Sequence, residues 1–308
     1  MTEHMEQRTP TFGSDEDKFV LSLSCPDRPG IVHAVSQFLL AHGCTIVESQ
    51  QFGDQGSGLF FMRIGFFPVP SATCPTTHGA DLPMLDALRV AFATVATGFA
   101  MTWHLDYASA RQQVLIMVSK LGHCLNDLLF RVSTGWLNVD VVAIVSNHDD
   151  LGAMARSYGV PFHHVPVTPE TKPEAEAQLM SLVDELGVDL VVLARYMQVL
   201  SDGLCARLWG RAINIHHSML PSFKGARPYE RAHERGVKVI GATAHYVTSD
   251  LDEGPIIEQA TARIDHTLSP ADVAALGRDT ECQALARAVR WHVQRRVFLD
   301  QRRTIVFQ

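Results

Sequence analysis

Four short runs of mostly branched aliphatic residues restrict this chain more than any other feature: VLIMVSK (114–120), VDVVAIVSN (139–147), VDLVVLARY (188–196) and AINIHH (212–217). A strand with one face in water alternates apolar and polar residues, and these runs barely do. They suit strands buried on both faces of a parallel sheet. Helical patterns separate the first three from one another and from the fourth: CLNDLLFRVSTG (124–135), DLGAMARSYG (150–159) and PEAEAQLMSLVDELG (173–187). Strand and helix in alternation predict an open, doubly wound α/β domain with a mostly parallel sheet. In such sheets ligands bind beyond the carboxyl ends of the strands. Further on, residues 239–264 read as antiparallel strands joined by a loop, 269–296 as a helix and 296–307 as a terminal hairpin.

The first hundred residues follow another rhythm. After a polar tail (1–17), KFVLSLS (18–24) alternates like a strand, and PDRPG (26–30) is a turn by its prolines and glycine. IVHAVSQFLLAHG (31–43) puts Ile31, Val35, Phe38 and Leu39 on one helical face, with Gly43 as its stop. CTIVESQQFGD (44–54) and GLFFMRIGFF (58–67) read as two strands around a glycine-containing turn. A Pro/Thr-rich loop (68–80), an amphipathic helix (84–99) and the strand MTWHLDY (101–107) complete a β-α-β-β-α-β, ferredoxin-like order. The expected organisation is therefore a tail (1–17), a small ferredoxin-like domain (18–105), a linker (106–112) and the α/β domain (113–308).

The 308 residues are 46% hydrophobic and 19% charged, enough apolar material for two cores. A net charge of −7 lacks the basic footprint of a nucleic-acid partner. No apolar run reaches the roughly 18–20 residues that span a bilayer. The opening MTEHMEQRTPTFGSDEDK is polar and acidic, unlike a signal or transit peptide. Six scattered cysteines without a CxxC pair read as reduced thiols of a cytoplasmic protein.

Where the fourth strand stops, INIHHSMLPSFKGARPYERA (213–232) concentrates polar groups. Asn214 and His216 are alternate strand residues and point to the same side. Asp252, in the loop TSDLDEGP (248–255), follows a second strand that carries His245. An amide N–H stabilises a developing oxyanion, and an imidazole with a carboxylate moves protons. Any one of these residues alone would serve equally to cap a strand. Residue types and spacing leave hydrolase and transferase both open. No metal is expected: the pairs His163-His164 and His216-His217 point to opposite faces of a strand, and no H-x₃-H or HExxH spacing occurs. Cys124 opens a helix with no base marked beside it. Arg195 reads either as the partner of a buried carboxylate or as a substrate clamp.

The succession N-I-H, S-x-L-P, a G-A-x-P loop, and later G-A-T-x-H-x-V with D-x-G-P-I resembles the formyltransferase family that uses 10-formyltetrahydrofolate. The likeness runs from about residue 111 to 308. It implies an Asn–His–Asp catalytic set at Asn214, His216 and Asp252. It also implies a folate-binding strand and loop at LARYMQVLS (193–201), with contacts from Met197, Gln198, Leu200, His245 and Ser249. Two departures separate the chain from the transferases. SKLGHCLNDLL (119–129) lacks their glycine-rich phosphate cradle, and NIHHS has a histidine where they usually carry proline. With ARYMQ, both resemble the formyltetrahydrofolate deformylases, which pass the formyl group to water. PDRPGIV (26–32) is similar to an ACT domain, the small-molecule regulatory module at the front of those enzymes.

The resemblance implies hydrolysis of 10-formyltetrahydrofolate to tetrahydrofolate and formate, with no cofactor beyond that substrate. It places His123, Cys124, His217 and Gly225 around a small acceptor pocket. Asp27, Arg28 and Gly30 would bind an amino-acid effector, and the ACT-like domain would pair chains into a homodimer or homotetramer. Two other readings stand beside it: formyl transfer to an amine, and a non-catalytic folate or amino-acid sensor.

Overall fold

The computed structural model describes residues 17–69, 82–221 and 228–308. It divides into two compact units near residues 110 and 111. The expected tail and most of the Pro/Thr-rich loop, including Cys74, lie outside the described residues, as does Gly225.

In the first unit the order is β1 (Phe19–Pro26), α1 (Ile31–Ala41), β2 (Cys44–Asp54), β3 (Leu59–Pro68), α2 (Leu82–Phe99) and β4 (Thr102–Tyr107). The four strands form an antiparallel sheet in the order β2-β3-β1-β4. Leu21, Leu23, Met62 and Ile64 turn one sheet face toward the helices. α1 answers with Ile31, Val35, Phe38 and Leu39, the stripe its 3.6-residue spacing predicts. Gly43, at φ 66°, takes the left-handed conformation that ends the helix, which glycine adopts without a Cβ clash. Phe92 of α2 is wholly buried, its ring edge-on to Phe38 (5.1 Å) and Trp103 (5.0 Å).

The second unit runs β5 (Gln112–Val118), α3 (His123–Ser133), β6 (Val139–Ser146), α4 (Gly152–Ser157), β7 (Phe162–His164), α5 (Lys172–Glu185), β8 (Leu190–Leu193), α6 (Asp202–Arg207), β9 (Ala212–His216), α7 (Pro228–Glu234), β10 (Val239–Tyr246), β11 (Ile256–Arg263), α8 (Pro270–Val293), β12 (Val297–Asp300) and β13 (Arg303–Val306). Seven strands make one sheet in the order β11-β10-β9-β8-β5-β6-β7. Its members from β7 to β9 run parallel, while β10 and β11 are antiparallel. One apolar cluster, with α3 and α8, covers one face; a second, with α5 and α6, covers the other. That is why the strand runs carry no alternation. In β9 only Asn214 is not buried.

The chain proceeds outward from β5 to β7, then returns to the other side of β5 with β8. Strand order therefore reverses between β5 and β8, the place where an open α/β sheet leaves a crevice. Among the described residues no helix is long and apolar enough to cross a membrane.

Phe92→Ala is expected to cost about 3–5 kcal/mol of the first unit's stability, the usual range for deleting a buried aromatic ring. Urea unfolding followed at Trp103, with Trp136, Trp209 and Trp291 replaced by Phe, measures it. An unchanged midpoint would show that the two edge-on contacts do not hold this core.

Candidate active site

β9 and β10 are antiparallel neighbours, and their register sets Asn214 directly opposite His245 and His216 opposite Thr243. The Asn214 amide nitrogen lies 3.3 Å from His245 Nε2. His245 Nδ1 donates to the Tyr246 carbonyl at 2.8 Å, so in the neutral ring Nε2 accepts from that amide. Thr243, fully buried, donates to the Ser218 carbonyl and accepts from Leu220 N. One hydroxyl thus fixes the turn that leaves β9.

Asp252 reaches this cluster from the loop between β10 and β11. Its Oδ2 lies 3.1 Å from His216 Nδ1, and its Oδ1 lies 3.7 Å from His245 Nε2. The loop folds back tightly: a Cβ on Gly254 would stand 1.7 Å from the Tyr246 carbonyl oxygen, so only glycine fits. Asp252 itself sits at φ 57°, a conformation L-residues seldom adopt. Burial, the largest influence on its carboxyl, pushes the pKa up. The interaction with His216, with the His245 ring close by, outweighs it and holds the group well below the usual carboxylate range. Asp252 is therefore a fixed anion. His216 is 5% exposed, and its Nε2 is buried with no hydrogen-bond partner among the described residues.

A second polar cluster adjoins the first. His217 stacks on His216, with ring centroids 4.9 Å apart. Arg195 Nη1 is 2.5 Å from His217 Nδ1, and Arg195 Nε is 3.4 Å from Glu281 Oε2. Glu281 of α8, 1% exposed, pairs with that guanidinium by charge alone and accepts hydrogen bonds from His123 Nε2 (2.7 Å) and the Tyr229 hydroxyl (2.6 Å). Tyr229 crosses α8 at Gly277, where a Cβ would meet its ring at 2.2 Å. Burial pushes the Glu281 pKa up, but His123, Arg195 and Tyr229 together bring it below the ordinary value. Of its two readings, Arg195 takes that of a partner for a buried carboxylate.

Among the described residues, His123, Cys124 and Glu281 offer three donor atoms within 4.8 Å of one another. The cation's place beside Glu281 is already taken by the Arg195 guanidinium. A hydrogen bond with Cys282 and then burial raise the Cys124 thiol well above its ordinary value, so it stays protonated and is a poor ligand. Cys124 is wholly inside the core under α3, which removes it from any pocket wall.

The loop after β8 is stitched to its neighbours. Ser119 Oγ donates to Asn147 Oδ1 (2.7 Å) and accepts from Met197 N (3.0 Å), while Ser119 N donates to the Arg195 carbonyl. At the far end Ser201 N donates to Glu176 of α5. Gln198 and Leu200 line a recess against α5, whereas Met197 is exposed. Ser249 is exposed in the loop that carries Asp252. His245, expected among the folate contacts, instead has both ring nitrogens engaged in the polar cluster.

In the first unit, Gly30 (φ 97°) caps α1 and Asp27 N donates to the Gly58 carbonyl. Arg28 donates to the Gly98 carbonyl at the end of α2 and lies over the Phe99 ring. Sequence reasoning missed Glu281, Tyr229 and Gly277. The available signal was a glutamate within the buried stripe of α8 (Val273, Gly277, Glu281, Ala284, Ala288), one turn after a glycine.

Residues 112–289 match the formyl transferase family, and residues 19–72 match the ACT domain. Formyltetrahydrofolate deformylase of Corynebacterium sp. is 53% identical over 96% of this chain and all of its own length. The Bacillus subtilis deformylase is 44% identical over the whole of both. The crystal structure of the Burkholderia mallei deformylase superposes with a TM-score of 0.87 at 53% identity, covering 95% of this chain and all of that one. Glycinamide ribonucleotide transformylase 1 of Symbiobacterium toebii matches at TM-score 0.61 and 30% identity, over 67% of this chain and 97% of its own.

Glu281 has its pKa lowered by folding, so its stabilisation is present above the unfolded value, about 4.3, and is lost as pH falls through the folded one. Glu281→Gln is expected to be less stable than the native chain at pH 7, with the gap narrowing as the pH falls below about 4.3. Denaturant midpoints across that range measure it. A gap that widens on acidification would mean Glu281 is not ionised in the folded protein.

Proposed function

The chain belongs to the formyltetrahydrofolate deformylase family, and on that premise we propose that it hydrolyses 10-formyltetrahydrofolate to tetrahydrofolate and formate. The observation that carries the catalytic reading is the state of His216: Nδ1 is held by the Asp252 carboxylate, while Nε2 is buried without a protein partner among the described residues. A buried polar atom is costly unless something bonds to it. A water that donates to that atom and then takes the formyl group is what this chemistry requires there.

Asp252, held ionised, is too weak a base to take a proton from water itself. It holds His216 with Nδ1 protonated, so Nε2 presents its lone pair. His216 Nε2 accepts a proton from the water as the water oxygen bonds to the formyl carbon and the carbonyl electron pair moves onto oxygen. The Asn214 amide has a second N–H beyond the one aimed at His245, and this stabilises the oxyanion. Collapse breaks the C–N10 bond. His216 then returns its proton to N10, releasing tetrahydrofolate and formate. The loop carrying Met197, Gln198 and Leu200, with Ser249 at its rim, is assigned to the folate. No metal or further cofactor enters any step.

Transfer to an amine is the competing reading. Full-length likeness to the deformylases, front domain included, favours water; the transformylases match only the rear two thirds. His217 also puts a bulky side chain against His216, with Arg195 bonded to its far edge. For the front domain we assign assembly into a homodimer or homotetramer and an amino-acid effector site at the turn of Asp27, Arg28 and Gly30. The cysteines described as free thiols fit a cytoplasmic setting.

Purified protein given 10-formyltetrahydrofolate alone is expected to release formate and tetrahydrofolate one for one. Asp252→Asn should lower that rate by about 10²-fold or more while folate binding persists, because a proton-relay anion is replaced by a near-isostere. Native turnover in this variant would remove Asp252 from the mechanism.

Glycinamide ribonucleotide, even at millimolar concentration, is expected neither to speed cofactor loss nor to become formylated. Mass spectrometry would detect the product. Formylated ribonucleotide appearing as fast as the cofactor disappears would promote the transferase reading.

A further inference from the structure

His217 and the buried pair beside it take no part in the steps above, yet His217 lies against the ring that does. Its imidazole is stacked on His216 with 19° between the planes. Among the titratable or charged groups facing it are His216 on its own strand end, Arg195 from the loop after β8 and Tyr229 from α7 (6.4 Å between rings). Behind Arg195 stand Glu281 of α8 and, bonded to that carboxylate, His123 of α3.

Arg195 decides the protonation of this ring. A guanidinium is never deprotonated in a protein and has only donors to offer. With Nη1 at 2.5 Å from His217 Nδ1, that nitrogen must supply a lone pair. The single remaining proton of a neutral imidazole then sits on Nε2. A neutral ring with its proton on Nδ1 would point that N–H at a guanidinium N–H, and a doubly protonated ring would set two cations face to face and press one of them against His216. Arg195 is kept in place by its surroundings: its carbonyl accepts from Ser119, its side chain is 10% exposed, and its Nε lies 3.4 Å from the Glu281 carboxylate as an ion pair. Glu281 is in turn fixed by His123 and by Tyr229, which has its slot because residue 277 is glycine.

We propose that Glu281 and Arg195 are positioning residues that lock His217 as the neutral Nε2–H tautomer against His216. The proton taken from water then resides on His216 alone, and His217 contributes one fixed donor instead of a competing base. This rests on the deformylase reading for its consequence, though not for the tautomer itself.

The test has two arms. Long-range ¹H–¹⁵N NMR on histidine-labelled native protein reads the tautomer, with His217 assigned by its loss in His217→Gln. The expected pattern is neutral Nε2–H from pH 6 to 8. A protonated Nδ1 at pH 7 overturns the proposal whether or not formate is made. In the second arm, Arg195→Met frees His217 to titrate near the ordinary histidine value of about 6.5. The variant should lose about fourfold in kcat at pH 6 relative to pH 8.5, with KM for 10-formyltetrahydrofolate within about twofold of native. Arg195→Lys, which keeps a donor, should recover most of the acid-side loss. A uniform loss at every pH would make Arg195 merely structural and overturn the assignment. Should Arg195→Met fail to fold because Glu281 is left buried and unpaired, Arg195→Met/Glu281→Gln removes that charge and is read in the same way. Native protein that releases no formate would sink the hydrolase reading, while the tautomer measurement would still decide for or against the lock.

Discussion

The hydrogen bond between the Asp252 carboxylate and His216 Nδ1 is the contact around which the second unit is organised. It joins a residue at the end of β9 to one in the loop after β10, and each needs its own support. His216 is set by the register that pairs it with Thr243. Asp252 is set by a loop so close to Tyr246 that residue 254 has no room for a side chain. Backbone strain at Asp252 is tolerated because the bonds at both ends of the loop leave it no other path.

One electrostatic rule governs Asp252, partly buried, and Glu281, fully buried: burial raises the pKa of each carboxyl, and the groups facing it bring that pKa back below its ordinary value. The two sites differ in what those groups are. At Asp252 the donor is the His216 imidazole, whose proton can move. Glu281 is met by a guanidinium, a phenol and one imidazole, and the guanidinium and phenol keep theirs at neutral pH: burial, aided by Glu281, raises the Tyr229 pKa far above its usual value. One carboxylate is suited to a proton relay and the other to holding things still.

Much of this was legible in the sequence. The unalternating strand runs gave the parallel sheet, and the stripe of Ile31, Val35, Phe38 and Leu39 gave the face of α1. Strand parity put Asn214 and His216 on one side, while Asp252 was located through the D-x-G-P resemblance. β7 escaped notice because three residues are too few to show a period. The role of His245 depends on sitting opposite Asn214, and register between distant strands is a tertiary property. Glu281 lies 86 residues beyond Arg195, and nothing local to either announces the other.

Ser119 has a consequence of a different kind. Its hydroxyl ties Asn147 after β6 to Met197 in the loop after β8, and its amide ties β5 to Arg195. Three strand ends that meet where the sheet order reverses are thereby joined through one small side chain. The loop assigned to the folate is already ordered before anything binds to it. A preorganised loop loses little conformational entropy on association, so more of the contact energy remains as affinity. The same stitching makes the crevice a poor candidate for induced fit: its walls can widen only if a buried hydroxyl gives up both of its partners together.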